Sequence, residues 1–160
     1  MGSGWGQDWI WGLGLTALTI AAHAMGVVMT AIVLTRVKDH LTQRGRPLRH
    51  PVIFAASMVG AVGLLLGALH GAEAIIWAAA YVALGAIDTW GHAILYSLDS
   101  MTTRGASKVF MHEEWELLGA LEAADGMLLF GVSTAFVFAM IEGILPIFIR
   151  TGGRRRRGRP

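Results

Sequence analysis

Apolar residues run along this chain in three long blocks, with the polar residues gathered between them. The first block spans Trp9 to Val37 and holds no acidic or basic residue between Asp8 and Arg36, only His23. The second spans Pro51 to Ile87 and is interrupted by His70 and Glu73. The third spans Leu117 to Ile149 and carries Glu122, Asp125 and Glu142. About 20 apolar residues suffice for a helix to cross the hydrocarbon layer of a bilayer. Each block meets that length, and three of them in 160 residues leave too little polar chain to cover a soluble core. The expected fold is an all-α membrane protein with three transmembrane spans. The first block has no basic leader and is too long for a secretory signal, so it reads as a retained span.

The second block is too long for a simple span. As one helix its 37 residues would extend about 55 Å, against a hydrocarbon layer about 30 Å thick. His70-Gly71-Ala72-Glu73 is the expected break. It would leave a span over Val52 to Leu69 and a second apolar helix over Ala74 to Ile87, packed in the outer leaflet or against its neighbours.

Charge sets the expected orientation. Arg36, Lys38, Arg44, Arg46 and Arg49 lie between the first two blocks, and Arg150, Arg154, Arg155, Arg156, Arg157 and Arg159 follow the third. Basic residues collect on cytoplasmic flanks. The loop and the tail then lie inside and the amino terminus outside, which an odd number of spans permits. The expected location is a bacterial cell membrane. The basic tail reads as a topology signal that also touches anionic headgroups, and no nucleic-acid partner is expected. Composition narrows the chemistry further. With 15% charged residues against a usual 25% or so, and no cysteine, the chain is no ordinary soluble globule. Disulfides, thiolate metal sites and thiol nucleophiles are excluded.

Between the second and third blocks lies Trp90 to Glu116. Gly91 to Met101 reads as an amphipathic helix too short to cross a membrane. A polar turn follows, Thr102 to Lys108, and then the acidic cluster His112-Glu113-Glu114-Trp115-Glu116. A short helix and polar turn between two spans is the pattern of a re-entrant loop. Such backbone survives at membrane depth only when buried in protein or lining a watery cavity.

The stretch from Ala93 to Ser107, Ala-Ile-Leu-Tyr-Ser-Leu-Asp-Ser-Met-Thr-Thr-Arg-Gly-Ala-Ser, resembles the pore helix and filter of tetrameric potassium channels. Trp115 to Phe136 resembles their inner helix, with an outer-end Trp and glycines near the hinge depth. The resemblance covers roughly Val52 to Ile149, and the first span is extra to the minimal two-helix version. It implies three units: residues 1–50, an additional span and basic loop; 51–149, a pore domain; and 150–160, a basic cytoplasmic tail. It also implies a homotetramer. The family's filter reads Thr-Val-Gly-Tyr-Gly, and its carbonyl oxygens replace the ion's hydration shell. Here the sequence is Thr103-Arg104-Gly105-Ala106-Ser107, followed by Lys108. The bracing aromatic and the second glycine are both replaced, so a potassium-selective filter is not expected.

The resemblance assigns Thr102, Thr103, Arg104, Gly105, Ala106 and Ser107 to the pore loop, and Tyr96 and Asp99 to its support. Arg104 is expected either to pair with Asp99, to form a ring facing the axis, or to lie solvated at a wide outer mouth. Glu122 and Asp125, three apart on one helical face, are expected to line a pore or cavity; the plainer alternative is pairing with Arg104, His92 or another helix. Gly126 and Gly131 are hinge candidates. His23 reads as a neutral histidine bonded to a neighbouring helix, or else as a proton relay or ligand contact. His70 and Glu73, with His112, Glu113 and Glu116, could hold a divalent metal at the outer rim, but the expectation is no metal and no cofactor. Trp5, Trp9, Trp11, Trp90 and Trp115 are expected as interfacial anchors.

The expected function is passive permeation of ions, monovalent ions included, through a potassium-channel-like pore with an altered filter. One alternative is a non-conducting scaffold or sensor of the same fold. Another is a transporter or enzyme using His23, Glu122 and Asp125. No nucleophile–base constellation or nucleotide motif is present, and no enzyme activity is expected.

Overall fold

The computed structural model describes residues 4–43, 50–102, 104, 109 and 111–157. Among them the chain is all-helical. Helix α1 spans Gly4–Gln43, α2 Pro51–Ala83, α3 Trp90–Met101 and α4 Glu116–Arg157, and a single 3-10 turn at Glu113–Trp115 leads into α4. Three stretches, Gly6–His40, Val52–Ala83 and Glu113–Gly143, are long and apolar enough to cross a membrane. This is the architecture of a multi-pass membrane protein.

Helix α2 is unbroken through His70-Gly71-Ala72-Glu73, so the expected break there is wrong, and Ala74–Ile87 is not a separate helix. The polar side chains that suggested a break find partners on neighbouring helices. Nothing then forces the backbone open, and the cost of one glycine inside a helix, about 1 kcal/mol, is outweighed. Pro51 opens α2 at the position where its missing N–H costs nothing. The helix ends instead at Gly85, whose φ of 69° is the left-handed conformation that closes helices. The amide of Ala86 then donates to the Tyr81 carbonyl at 2.8 Å. Helix α4 continues to Arg157, through most of the basic tail.

Each long helix buries one narrow face. In α1 the buried positions are Asp8, Gly12, Leu15, Thr19, His23 and Thr30; in α4 they include Leu118, Glu122, Asp125, Leu129, Ser133 and Met140. Steps of three and four residues keep these on one side of a helix. The remaining surface is largely apolar and exposed, as at Leu13, Leu64 and Phe130. A lipid-facing surface has that character. Helix α1 packs on α4 and α2, and the short α3 sits between α2 and α4.

Two apolar clusters mark the two ends of the bundle. Trp77, Tyr81, Trp115 and Leu118 gather with Leu15 at one end, and Val62, Leu66 and Met140 with Leu34 at the other. The carboxyl end of α1, the start of α2 and the far part of α4 therefore share one end of the molecule. Trp115 is 9% exposed and belongs to the first cluster, so it is a core residue rather than an interfacial anchor. Trp9, Trp11 and Trp90 are about half exposed, as anchors would be. The side chain of Trp5 lies outside the described residues.

Candidate functional site

Between the two apolar clusters the helices face one another with polar side chains. Helix α1 supplies Thr19 and His23; α2 supplies His70, Glu73, Trp77 and Tyr81; α3 supplies Ser97; α4 supplies Glu122, Asp125 and Ser133. Of these all but His70 are buried, and no Lys or Arg is buried among the described residues. Three carboxyl groups thus share the interior with two imidazoles.

The carboxyl groups each have their own partners. Glu122 accepts from the hydroxyls of both Tyr81 and Ser97. Ser97 also lies 2.9 Å from the Ala74 carbonyl, which seats α3 against α2. Asp125 Oδ2 accepts from Thr19 Oγ1 at 2.6 Å and from Trp77 Nε1 at 3.0 Å, and its Oδ1 is buried with no hydrogen-bond partner. Glu122 and Asp125 are 0% exposed inside a single chain. They face other helices of their own chain, because those helices carry the hydroxyl and indole donors that a buried carboxyl requires.

The third carboxyl belongs to a four-residue circuit. His23 Nδ1 is 2.8 Å from Glu73 Oε1, and His23 Nε2 is 3.0 Å from Ser133 Oγ. His70 Nε2 is 3.2 Å from the same hydroxyl, and its Nδ1 is 3.3 Å from Glu73 Oε2. That last contact lacks hydrogen-bond geometry, and Glu73 Oε2 is buried without a partner. The two imidazoles stand 5.0 Å apart between centroids, tilted by 45°. His23 is bonded to neighbouring helices, as the plainer reading of it held. Of the candidates for a metal at the outer rim, His70 and Glu73 do meet, but they meet His23. His112 instead lies 3.7 Å from Asp88, and Glu113 and Glu116 are exposed. The turn at Glu113–Trp115 lies at the Trp77–Trp115 end of the bundle, whereas His70 and Glu73 lie deeper, between the two apolar clusters.

Helix α3 presents Ala93, Ser97, Asp99 and Met101 inward. Tyr96 packs edge-on against Tyr81 with centroids 5.5 Å apart. Thr102 caps the end of α3, its hydroxyl 2.6 Å from the Leu98 carbonyl. Arg104 turns back on Asp99, with its amide 3.0 Å from the Asp99 carbonyl and Nη1 3.1 Å from Oδ1. Of the readings open for Arg104, the pair with Asp99 is the one made, with the Arg104 side chain 74% exposed. Thr103, Gly105, Ala106 and Ser107 lie outside the described residues. Gly126 lies where α3 meets α4: a Cβ there would fall 2.6 Å from both Cα and O of Met101. Helix α4 passes through Gly126 and Gly131 without a break, so neither is seen as a hinge.

Thr19, Trp77, Tyr81, Ser97 and Ser133 were not singled out by sequence. For Thr19, Trp77, Tyr81 and Ser133 a signal existed, since each is a polar or amphipathic residue on an otherwise apolar helix, at helical spacing from His23, Glu73 or Glu122; Ser97, alone on α3, had none of that kind. The chain was compared with family models, curated proteins and solved structures, and none matches.

Proposed function

We propose that the chain is a subunit of a pore-loop membrane assembly that carries out passive ion permeation. The observation that carries this reading is α3. At 12 residues it is too short to cross a bilayer, yet it is inserted between two helices that are long enough. Its buried Ser97 is bonded to both the α2 backbone and Glu122, and its polar end is held by Thr102 and the Asp99–Arg104 pair. In this reading α2, α3 and α4 act as outer helix, pore helix and inner helix. Four copies place the carboxyl ends of α3 nearest a common axis, with Leu95 and Leu98, exposed in the single chain, facing neighbouring copies. Without a Tyr-Gly pair after Gly105, potassium is not strongly preferred over sodium.

The purified chain in liposomes should pass monovalent cations, with a reversal potential in mixed potassium and sodium salts well away from the potassium value. A tight vesicle with correctly inserted protein and no flux of any ion would reject permeation and leave a scaffold or sensor of this architecture. A second reading, a transporter that handles a proton or cation inside each subunit, draws on the burial of His23, Glu73, Glu122 and Asp125 within one chain. Intramembrane ionisable residues commonly mark such pathways. Flux that saturates and depends on a pH gradient would favour it.

A further inference from the structure

With Glu73 ionised, the circuit of His23, His70, Glu73 and Ser133 has one hydrogen too few for its four contacts, and either a proton on Glu73 or a bound cation closes it. Both histidines turn Nδ1 toward the Glu73 carboxylate and Nε2 toward the Ser133 hydroxyl. A neutral imidazole carries one proton. If each places it on Nδ1, facing the carboxylate, two bare Nε2 lone pairs face a hydroxyl that has one hydrogen to give, and one nitrogen goes unpaired. If each places it on Nε2, both donate to Ser133 Oγ, whose two lone pairs accept them both. The two Nδ1 lone pairs then converge with the carboxylate on one point, and that arrangement needs a cation at the point.

Distances agree with such an ion. His23, His70 and Glu73 can each bring one ligand atom within 4.8 Å of the others'. Neighbouring ligands on a tetrahedral ion with bonds near 2.0 Å stand about 3.3 Å apart; the His70–Glu73 separation is 3.3 Å, and the His23–Glu73 contact, a 2.8 Å hydrogen bond without the ion, would open by about 0.5 Å to admit it. A second observation points the same way. Glu73 is 1% exposed, and its Oε2, beside His70 Nδ1, has no hydrogen-bond partner. Charge agrees too, since no buried Lys or Arg among the described residues balances the interior carboxylates.

We propose that His23, His70 and Glu73 bind one divalent first-row transition-metal ion between α1 and α2, with Ser133 of α4 holding both imidazoles from behind. Two imidazoles and a carboxylate suit zinc, cobalt or iron(II) rather than calcium or magnesium. Three protein ligands leave at least one position open. Ser133 is a positioning residue: it fixes which ring nitrogen carries the proton, as outer partners of metal-bound histidines do. The site does not depend on permeation and stands whether or not the chain conducts.

The test is binding of Zn²⁺ and Co²⁺ to the full-length chain in detergent. One ion per chain is expected. X-ray absorption of the wild-type complex should show two imidazoles and a carboxylate, a readout that needs no variant. His70→Ala should abolish binding and Ser133→Ala should weaken it about 10–100-fold. The His92→Ala, His112→Ala double variant should bind as the wild type does. Three results would overturn the proposal: no stoichiometric ion on the folded wild type, binding that follows His92 and His112, or a histidine signal that titrates with pH and ignores both metals. The last would make the circuit a proton site, because one added proton shared by the two rings satisfies the same hydroxyl.

Discussion

Single side chains differ here mainly in whether their partners are buried with them. Glu122 takes two hydroxyl hydrogens at a fully buried position. Glu122→Ala leaves the Tyr81 hydroxyl without its acceptor, at about 1–3 kcal/mol, besides the lost volume, while Ser97 keeps the Ala74 carbonyl. Tyr81→Phe removes one donor and should cost about 1 kcal/mol. Denaturant unfolding in micelles should therefore rank Glu122→Ala well below Tyr81→Phe in stability. Equal losses would mean that Glu122 is not the shared acceptor. The Asp99–Arg104 pair is a different case. As a buried pair it would be worth several kcal/mol to break, but Arg104 is three-quarters exposed in the chain. Solvent-screened pairs couple by about 0.2–1 kcal/mol, and a double-mutant cycle with Asp99→Asn and Arg104→Ala on the detergent-solubilised single chain should return a value in that range. A coupling above about 2 kcal/mol in the assembled protein alone would mean that neighbouring copies bury the pair. The pair was legible in sequence because its members are five residues apart across one helix end. The meeting of His23 with Glu73, 50 residues away, was not, because no local spacing reports which faces of two helices touch. The polar stripes were the available sign: Asp8, Thr19, His23 and Thr30 repeat at helical steps on an apolar helix, which marks the face turned away from lipid.

Among the elements, α3 was the most legible, from its length and its amphipathic pattern; the Thr89 side chain that caps it, accepting from the His92 amide at 3.4 Å, adds what the pattern alone did not show. The course of α2 was the least legible. Its polar tetrapeptide reads as a break when the partners of His70 and Glu73 are unknown, whereas the true stop, Leu84-Gly85, looks like ordinary apolar chain. The same limit applies to glycines. Gly126 and Gly131 look equivalent in sequence as points of bending in α4. In the fold, Gly126 meets the Met101 backbone, and nothing lies within 4 Å of a Cβ at Gly131. Gly126→Ala must push α3 away from α4, because the colliding atoms are backbone and have no rotamer to change. A loss of about 1–3 kcal/mol is expected, the usual cost of overpacking. Gly131→Ala should be neutral or slightly stabilising through helix propensity. Thermal unfolding of the two variants side by side checks this, and a destabilised Gly131→Ala with an unaffected Gly126→Ala would contradict the α3–α4 contact.

At the scale of the whole molecule, the clusters at the two ends of the bundle fix which termini lie together, while the charge pattern says which end faces the cytoplasm. Leu34 of α1, Val62 and Leu66 of α2 and Met140 of α4 share one cluster. The α1–α2 connection and the end of α4 are thus on the same side, and both carry the basic residues. Asp88, between α2 and α3, is exposed at the opposite end, beside the Trp77–Trp115 cluster. Basic flanks stay cytoplasmic, so the Gln43 end should face the cytoplasm and the Asp88 end the exterior. The absence of native cysteine makes the test clean, since any thiol introduced is the only one. Asp88→Cys and Gln43→Cys are both at exposed positions, and neither belongs to the buried polar layer. In intact cells a membrane-impermeant maleimide should label Asp88→Cys at once and Gln43→Cys only after permeabilisation. The reverse pattern would keep three spans but invert the molecule, and the positive flanks would then have failed as a guide. Labelling of both from outside would place the two ends on one side of the membrane. An even number of crossings would have to lie between them, which a single unbroken α2 cannot supply.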